Sequence, residues 1–271
     1  MKKILFSAVF AALFVSCSTE DDSPPDTNPA LSEYLPLADE NYWTYDVEGA
    51  TVSGRDSLYV ANDTVINGTP HKRMETGDVP FGFYSGALKN NGIRNANGSL
   101  MVSGAFGLDL GETFPVDIAL NNFVILSDDA SANQELSSVS GEIEQTFEGY
   151  PLILDYTLSS TATQTLPSFT SPNGDVYTDV KVVRQTLNMK ISYTTDDFGF
   201  PITIPILQSQ DVLVSNTYFA KNIGMVYAQT TYSYDLEDLS QAGIELPIPS
   251  SGMEVQEEFL DTSVTASANA N

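Results

Sequence analysis

Val183-Arg184-Gln185-Thr186-Leu187-Asn188-Met189-Lys190-Ile191-Ser192-Tyr193 alternates along its whole length. Val183, Gln185, Leu187, Met189, Ile191 and Tyr193 share one parity; Arg184, Thr186, Asn188, Lys190 and Ser192 share the other. Successive side chains of a strand point to opposite faces, so this period of two predicts a long antiparallel strand, dry on one face and wet on the other.

The same signal extends in both directions. Val139, Gly141, Ile143, Gln145 and Phe147 alternate with Glu142, Glu144, Thr146 and Glu148, and Leu152, Leu154, Tyr156 and Leu158 supply a return strand. Strands are predicted over Ile202 to Val214 after a turn at Asp196-Asp197, over Met225 to Tyr234 after a break at Asn222-Ile223-Gly224, and over Met253 to Leu260. Near the start, Trp43, Tyr45 and Val47 share one face of an entry strand. Asn62-Asp63, Asn67-Gly68, Asn91-Gly92 and Asn97-Gly98 read as hairpin turns, since these residues tolerate the positive φ that a tight hairpin demands. Val60, Ile66, Ile93, Leu100 and Val102 are then core candidates.

Other stretches read as irregular. Pro80 to Gly86 is expected to be a loop or an irregular edge strand, and between Gly104 and Asn122 the stretches Asp109-Leu110-Gly111 and Phe114-Pro115 read as loop, followed by a strand at Phe123 to Leu126. Leu236 to Leu239 reads as one helical turn. No segment sustains apolar spacing at i, i+3, i+4 and i+7, so helix should be scarce. The expected fold class is all-β: a single antiparallel β-sandwich or a strongly curved half-barrel. The expected divisions are a signal peptide at 1–16, a tether at 17–33, one β domain at 34–262 and a tail at 263–271.

Charge and cysteine content narrow the function. The 271 residues hold 11 basic and 36 acidic side chains. Removing Lys2 and Lys3 with the signal leaves nine basic against 36 acidic, a mature charge of −27. A field of that sign repels phosphate backbones, which excludes nucleic acid as a partner. Cys17 is the single cysteine, so the domain is held by its apolar core and not by disulfides.

Lys2 and Lys3 precede an almost unbroken apolar run from Ile4 to Val15, with small Ser16 just before Cys17. This is the layout of a secretory signal, and the run is too short for the roughly 20 apolar residues of a membrane span. Phe14-Val15-Ser16-Cys17 resembles the bacterial lipobox, in which signal peptidase cuts before a diacylglycerol-bearing cysteine; Phe14 stands where Leu, Val or Ile is usual. That resemblance implies lipidation of Cys17 and a membrane held through lipid. Ser18-Thr19-Glu20-Asp21-Asp22 is similar to the acidic export signal of Bacteroidota surface lipoproteins. It implies an outer-membrane protein facing the cell exterior, with a periplasm-facing one as the alternative.

Tyr34-Leu35-Pro36-Leu37, Asn41-Tyr42-Trp43-Thr44-Tyr45 and Thr217-Tyr218-Phe219-Ala220-Lys221-Asn222-Ile223-Gly224-Met225-Val226 resemble a group of uncharacterised Bacteroidota lipoproteins. There an entry strand and an exit strand bracket a curved antiparallel sheet. Asn173-Gly174-Asp175-Val176-Tyr177-Thr178-Asp179-Val180 resembles that group's hairpin and strand before the exit ladder, and Glu40 replaces its expected glycine. The resemblance implies a fold and carries no activity. Asp56-Ser57-Leu58 and Asp63-Thr64-Val65 resemble the Asp-Ser/Thr-hydrophobic acceptor of Bacteroidota O-glycosylation, which makes Ser57 and Thr64 candidate acceptors.

The search for chemistry finds no catalytic motif. His71 is the single histidine, between Pro70 and Lys72-Arg73, and reads as part of a charged turn or strand. Zinc sites want several His or Cys ligands, and neither a Gly-x-Ser-x-Gly elbow nor a Ser-x-x-Lys pair is present. Asp128-Asp129, Asp196-Asp197 and Asp235 with Glu237 and Asp238 could pair as glycosidase-type acids or hold calcium, and otherwise are solvated turns. Phe81, Phe83 and Tyr84, or Tyr227, Tyr232 and Tyr234, could form a platform for sugars or line a cleft for an apolar ligand. The expectation is a non-enzymatic surface lipoprotein without a cofactor, calcium aside. Its role is a binding or accessory module for a glycan or envelope protein, or a carrier sheltering an apolar small molecule in a concave sheet; a hydrolase with paired acids is the remaining reading.

Overall fold

A computed structural model describes residues 34–109, 115–147, 149–195, 199–240 and 248–265. The alternating stretches form strands β1 (Tyr42–Gly49), β2 (Ser53–Ile66), β3 (Thr69–Thr76), β4 (Gly92–Ala96), β5 (Ser99–Asp109), β6 (Pro115–Ser127), β7 (Gln134–Phe147), β8 (Tyr150–Thr170), β9 (Val176–Thr195), β10 (Ile202–Ala220), β11 (Gly224–Asp235) and β12 (Ser251–Val264). One short helix, α1 (Phe83–Leu88), interrupts the link from β3 to β4.

All twelve strands join one antiparallel sheet in the order β6-β5-β4-β3-β2-β1-β12-β11-β10-β9-β8-β7, nearly closed into a barrel. Every neighbour but one is also a neighbour in sequence; the exception is the pairing of the first strand with the last. The expectation of a strongly curved single sheet is met, and a two-sheet sandwich is not formed.

Because the strands alternate in direction, the β1–β2, β5–β6, β7–β8, β9–β10 and β11–β12 connections lie at one end of the barrel. The chain enters and leaves the sheet at the other end. That end is filled: Leu35 is buried there, the Trp43 indole N–H donates to the Ile223 carbonyl, and the Lys181 ammonium lies 5.4 Å from the Tyr34 ring centre. The two stretches Tyr34–Tyr45 and Thr217–Val226 therefore meet in space. Gly224 has φ +120°, and an added Cβ would lie 2.7 Å from the Trp43 Nε1.

The inward face supplies the core. Trp43, Tyr45, Leu58, Met74, Ile93, Leu154, Leu187 and Phe219 are fully enclosed, as are the predicted core residues Val60, Leu100 and Val102; Ile66 is only half-buried. Asn67-Gly68 and Asn97-Gly98 turn with positive φ at both residues, as tight hairpins require.

Four expectations need correction. Asn62-Asp63 is no turn but lies inside β2, where a register shift after Val60 absorbs the irregularity. Asn91-Gly92 follows α1 and opens β4, so it closes no two-residue hairpin. Asp109 and Pro115 are not loop but the last pair of the long antiparallel ladder β5–β6, and residues 110–114 between them lie outside the described residues. Leu236 bridges to Leu207 as extended chain, and the three residues after it are not helical. The signal and tether at 1–33, Asp196-Asp197 and the tail at 266–271 lie outside the described residues.

The Trp43 contact yields a stability prediction. Gly224→Ala forces both an unfavourable φ and a collision with the indole, so it should cost about 2 kcal/mol or more. Chemical denaturation of the variant against wild type measures it.

Candidate functional site

Pro80 to Gly86 is the stretch that the sequence misassigns, and it builds the site. Pro80, Phe81 and Gly82 lead into α1, which enters the barrel from the end opposite the chain termini. A helix leaves its first N–H groups without partners. The N-cap residue Gly82 has no side chain to receive one. Distant strands do so instead. The Phe81 and Gly82 N–H groups donate to the two oxygens of Asp56 on β2, each at 2.8 Å. Phe83 N–H donates to Gln256 Oε1 at 2.9 Å and Tyr84 N–H to Glu258 Oε1 at 2.8 Å, both acceptors standing on β12. The Gln256 amide also donates to the Phe81 carbonyl at 2.8 Å.

This close approach requires Gly82: a Cβ there would lie 2.2 Å from Glu258 Oε2 and 3.0 Å from Asp56 Oδ2. Ring contacts complete the mounting. Tyr84 packs edge-on against Tyr45 and Phe219, and Phe83 spans the interior between Phe106 and Tyr232.

Burial, reinforced by the nearby charge of Asp56, pushes the Glu258 carboxyl from its ordinary 4.5 up to about 8, against the pull of the donating N–H groups. Glu258 thus keeps its proton at neutral pH. Among the described residues, its Oε2 and the hydroxyls of Tyr45 and Tyr84 meet no hydrogen-bond partner. Both tyrosine hydroxyls are pushed up as well, by burial first.

Between α1 and the strands that face it lies a cavity of about 670 Å³, open at one end. Phe81, Phe83, Gly86 and Ala87 form one wall. Phe147, Leu152, Met189, Ile191, Ile206, Leu207 and Val212 line β7 to β10, and Tyr232 and Tyr234 come from β11. Glu254 and Gln256 of β12 are its polar strip. Phe81 and Ile248 line the mouth and are 49% and 40% exposed. A smaller void of about 40 Å³ lies along α1 toward β5 and β6.

Of the predicted aromatic residues, the structure brings Phe81, Phe83, Tyr232 and Tyr234 to the cavity and encloses Tyr84 beside it. Tyr227 points to the other side of the sheet, in a ring cluster with buried Phe259 and half-buried Tyr218 and Phe169. His71 is enclosed between strands: its Nδ1 bonds the Thr69 carbonyl at 2.8 Å and its Nε2 the Ser103 hydroxyl at 3.1 Å. The Thr69 carbonyl occupies the position where a catalytic triad would hold a carboxylate.

Ser57 and Thr64 are half-buried on β2; Ser57 Oγ accepts the Gly77 N–H, and Thr64 is opposite His71. Asp128-Asp129 forms part of the β6–β7 turn, and Asp235, Glu237 and Asp238 follow one another at the end of β11. Among the described residues no three His, Cys, Asp or Glu side chains converge as a metal site. Cys17 and Ser18 to Asp22 lie outside the described residues. Sequence reasoning missed Asp56, Gln256 and Glu258. The available signal was β12 itself, whose polar residues at 254, 256 and 258 share one parity and whose Met253 and Val255 share the other. No protein-family model, curated protein or solved structure matches this chain.

A pH dependence follows from Glu258. Its folded value lies above its unfolded one, so its contribution to stability is complete below about pH 4.5 and is lost as the pH rises through about 8. Between about pH 4.5 and about pH 8 the wild type should lose stability from this group with a slope of at most about 1.4 kcal/mol per pH unit, and the loss should level off at higher pH. Glu258→Gln keeps the acceptor for Tyr84 and should flatten that part of the profile, read as urea midpoints across the range.

Proposed function

We propose that this chain is a lipid-anchored, non-catalytic β-barrel that shelters an apolar ligand in its interior, at the outer membrane and facing the cell exterior. The observation that carries the reading is the half-open, mainly apolar cavity of about 670 Å³, within the range of pockets that enclose small molecules. Filling such a cavity from water is favourable by roughly 25 cal/mol for each Å² of apolar surface removed.

The carrier reading is favoured over a glycan or envelope-protein platform because Phe83, Tyr232 and Tyr234 face the interior and not an exposed strip. Tyr34, the first described residue on the path back to Cys17, is at the filled end of the barrel. The covalent path toward the lipidated residue therefore leaves the barrel at the end away from the mouth.

Two measurements test this. The protein should bind the neutral dye Nile red saturably, and Gly86→Trp should weaken that binding at least about tenfold while the far-UV spectrum is unchanged. Gly86 lines the cavity, its φ is not positive, and a Cβ there meets nothing closer than 3.8 Å. Absence of saturable binding, or equal binding by the variant, refutes the carrier. For the anchor, cells fed labelled palmitate should label the wild type and not Cys17→Ser; equal labelling refutes lipidation.

A further inference from the structure

The cavity wall has one sign of charge. Among the described residues that line it there is no Lys, Arg or His, and Glu254 is the single group that carries charge at neutral pH. Gln256, the other polar side chain of the strip, has its amide oxygen committed to Phe83 and its nitrogen to Phe81. Glu254 is different. Its Oε1 is held by the Thr51 N–H at 3.3 Å and by the Thr51 hydroxyl, which fixes the carboxylate beside the mouth. No cation pairs with it and no hydrogen bond engages Oε2 among the described residues.

The neighbouring acidic groups bring no compensating cation. Burial first, with acidic Glu258 and Glu254 nearby, pushes the Tyr232 hydroxyl up, so it stays a neutral O–H. Asp56 and Glu258 lie behind Gly82 on the same side of the interior.

We propose that the cavity selects an amphiphile with a hydrogen-bond-donating head that bears no negative charge, a primary ammonium being the best case. The alkyl or ring body fills the apolar interior, and the head sits at the mouth against Glu254 Oε2. A carboxylate- or phosphate-headed chain of the same length is disfavoured, because its head would leave water to face an unpaired carboxylate. This deepens the carrier reading and rests on it.

The test uses three ligands with one alkyl chain and different heads: dodecylammonium, dodecanol and dodecanoate, each displacing Nile red from the intact protein near neutral pH. Dodecylammonium should bind at least about tenfold more tightly than dodecanoate, with dodecanol between them. Glu254→Gln should bring the ammonium and carboxylate affinities together and leave dodecanol unchanged. Glu48→Gln removes the same charge from an exposed position outside the cavity and should leave the ratio as in wild type.

If Nile red itself does not bind, the carrier reading fails. If the dye binds and the three ligands displace it equally, or dodecanoate binds most tightly, charge selection is overturned and the carrier stands. Displacement by none of the three overturns the amphiphile. A ratio that survives Glu254→Gln, or that Glu48→Gln narrows equally, overturns the role of Glu254.

Discussion

Four consecutive backbone N–H groups, from Phe81 to Tyr84, are handed to side chains that project into the barrel from β2 and β12. The interior depends on this arrangement. A six-residue helix has no stability of its own in water, since nucleation costs more than so few bonds return. Buried donors without acceptors would cost about 1–3 kcal/mol each. Asp56, Gln256 and Glu258 meet that demand and so hold α1 inside the sheet, where it occupies space that a bare barrel of this many strands would leave to water. The clamp carries a cost of its own, because Glu258 is enclosed and is best kept protonated.

The topology explains why there is an interior to fill. A meander in which each strand pairs with its sequence neighbours is built from local hairpins, and only β1 with β12 must find each other across the whole chain. That one long-range pairing brings both ends of the sheet's path to the filled end, where Trp43, Leu35 and Gly224 interlock. The edges β6 and β7, although consecutive, form no ladder with each other. The sheet therefore curls nearly to closure, and the end away from the chain termini holds the cavity.

Much of this was legible in the sequence. Period-two alternation located β1, β7, β8 and β9, because each separates a drier face from a wetter one and burial writes itself into the pattern. Asn67-Gly68 and Asn97-Gly98 were legible because turn geometry demands those residues locally. The helix was not, since its cap is not local: Asp56 is 25 residues from Phe81, and Glu258 is 174 from Tyr84. The β5–β6 pair was read only in part, at Leu100, Val102 and Phe123 to Leu126, because Gly104, Gly107 and the register shifts at Leu100/Met101 and Val102/Gly104 break the alternation. The aromatic residues of the site could be collected from the sequence, but whether Tyr232 or Tyr227 faced inward depended on strand register.

Strand β12 joins these threads, since its hydrophobic pattern is inverted. Gln256 and Glu258 are buried at 5% and 1% exposure, whereas Met253 and Val255 face outward at 76% and 38%. In a sheet whose inner face met only apolar neighbours, such a strand would turn over, because a shift of one residue exchanges the two faces. It is held in register by what it meets inside: the N–H groups of α1 for Gln256 and Glu258, and Thr51 for Glu254. The inward polar row that caps the helix thus continues to the mouth of the cavity. One strand reading against the usual code supplies both the reason α1 can stand inside the barrel and, among the described residues, the single charged side chain that lines the cavity.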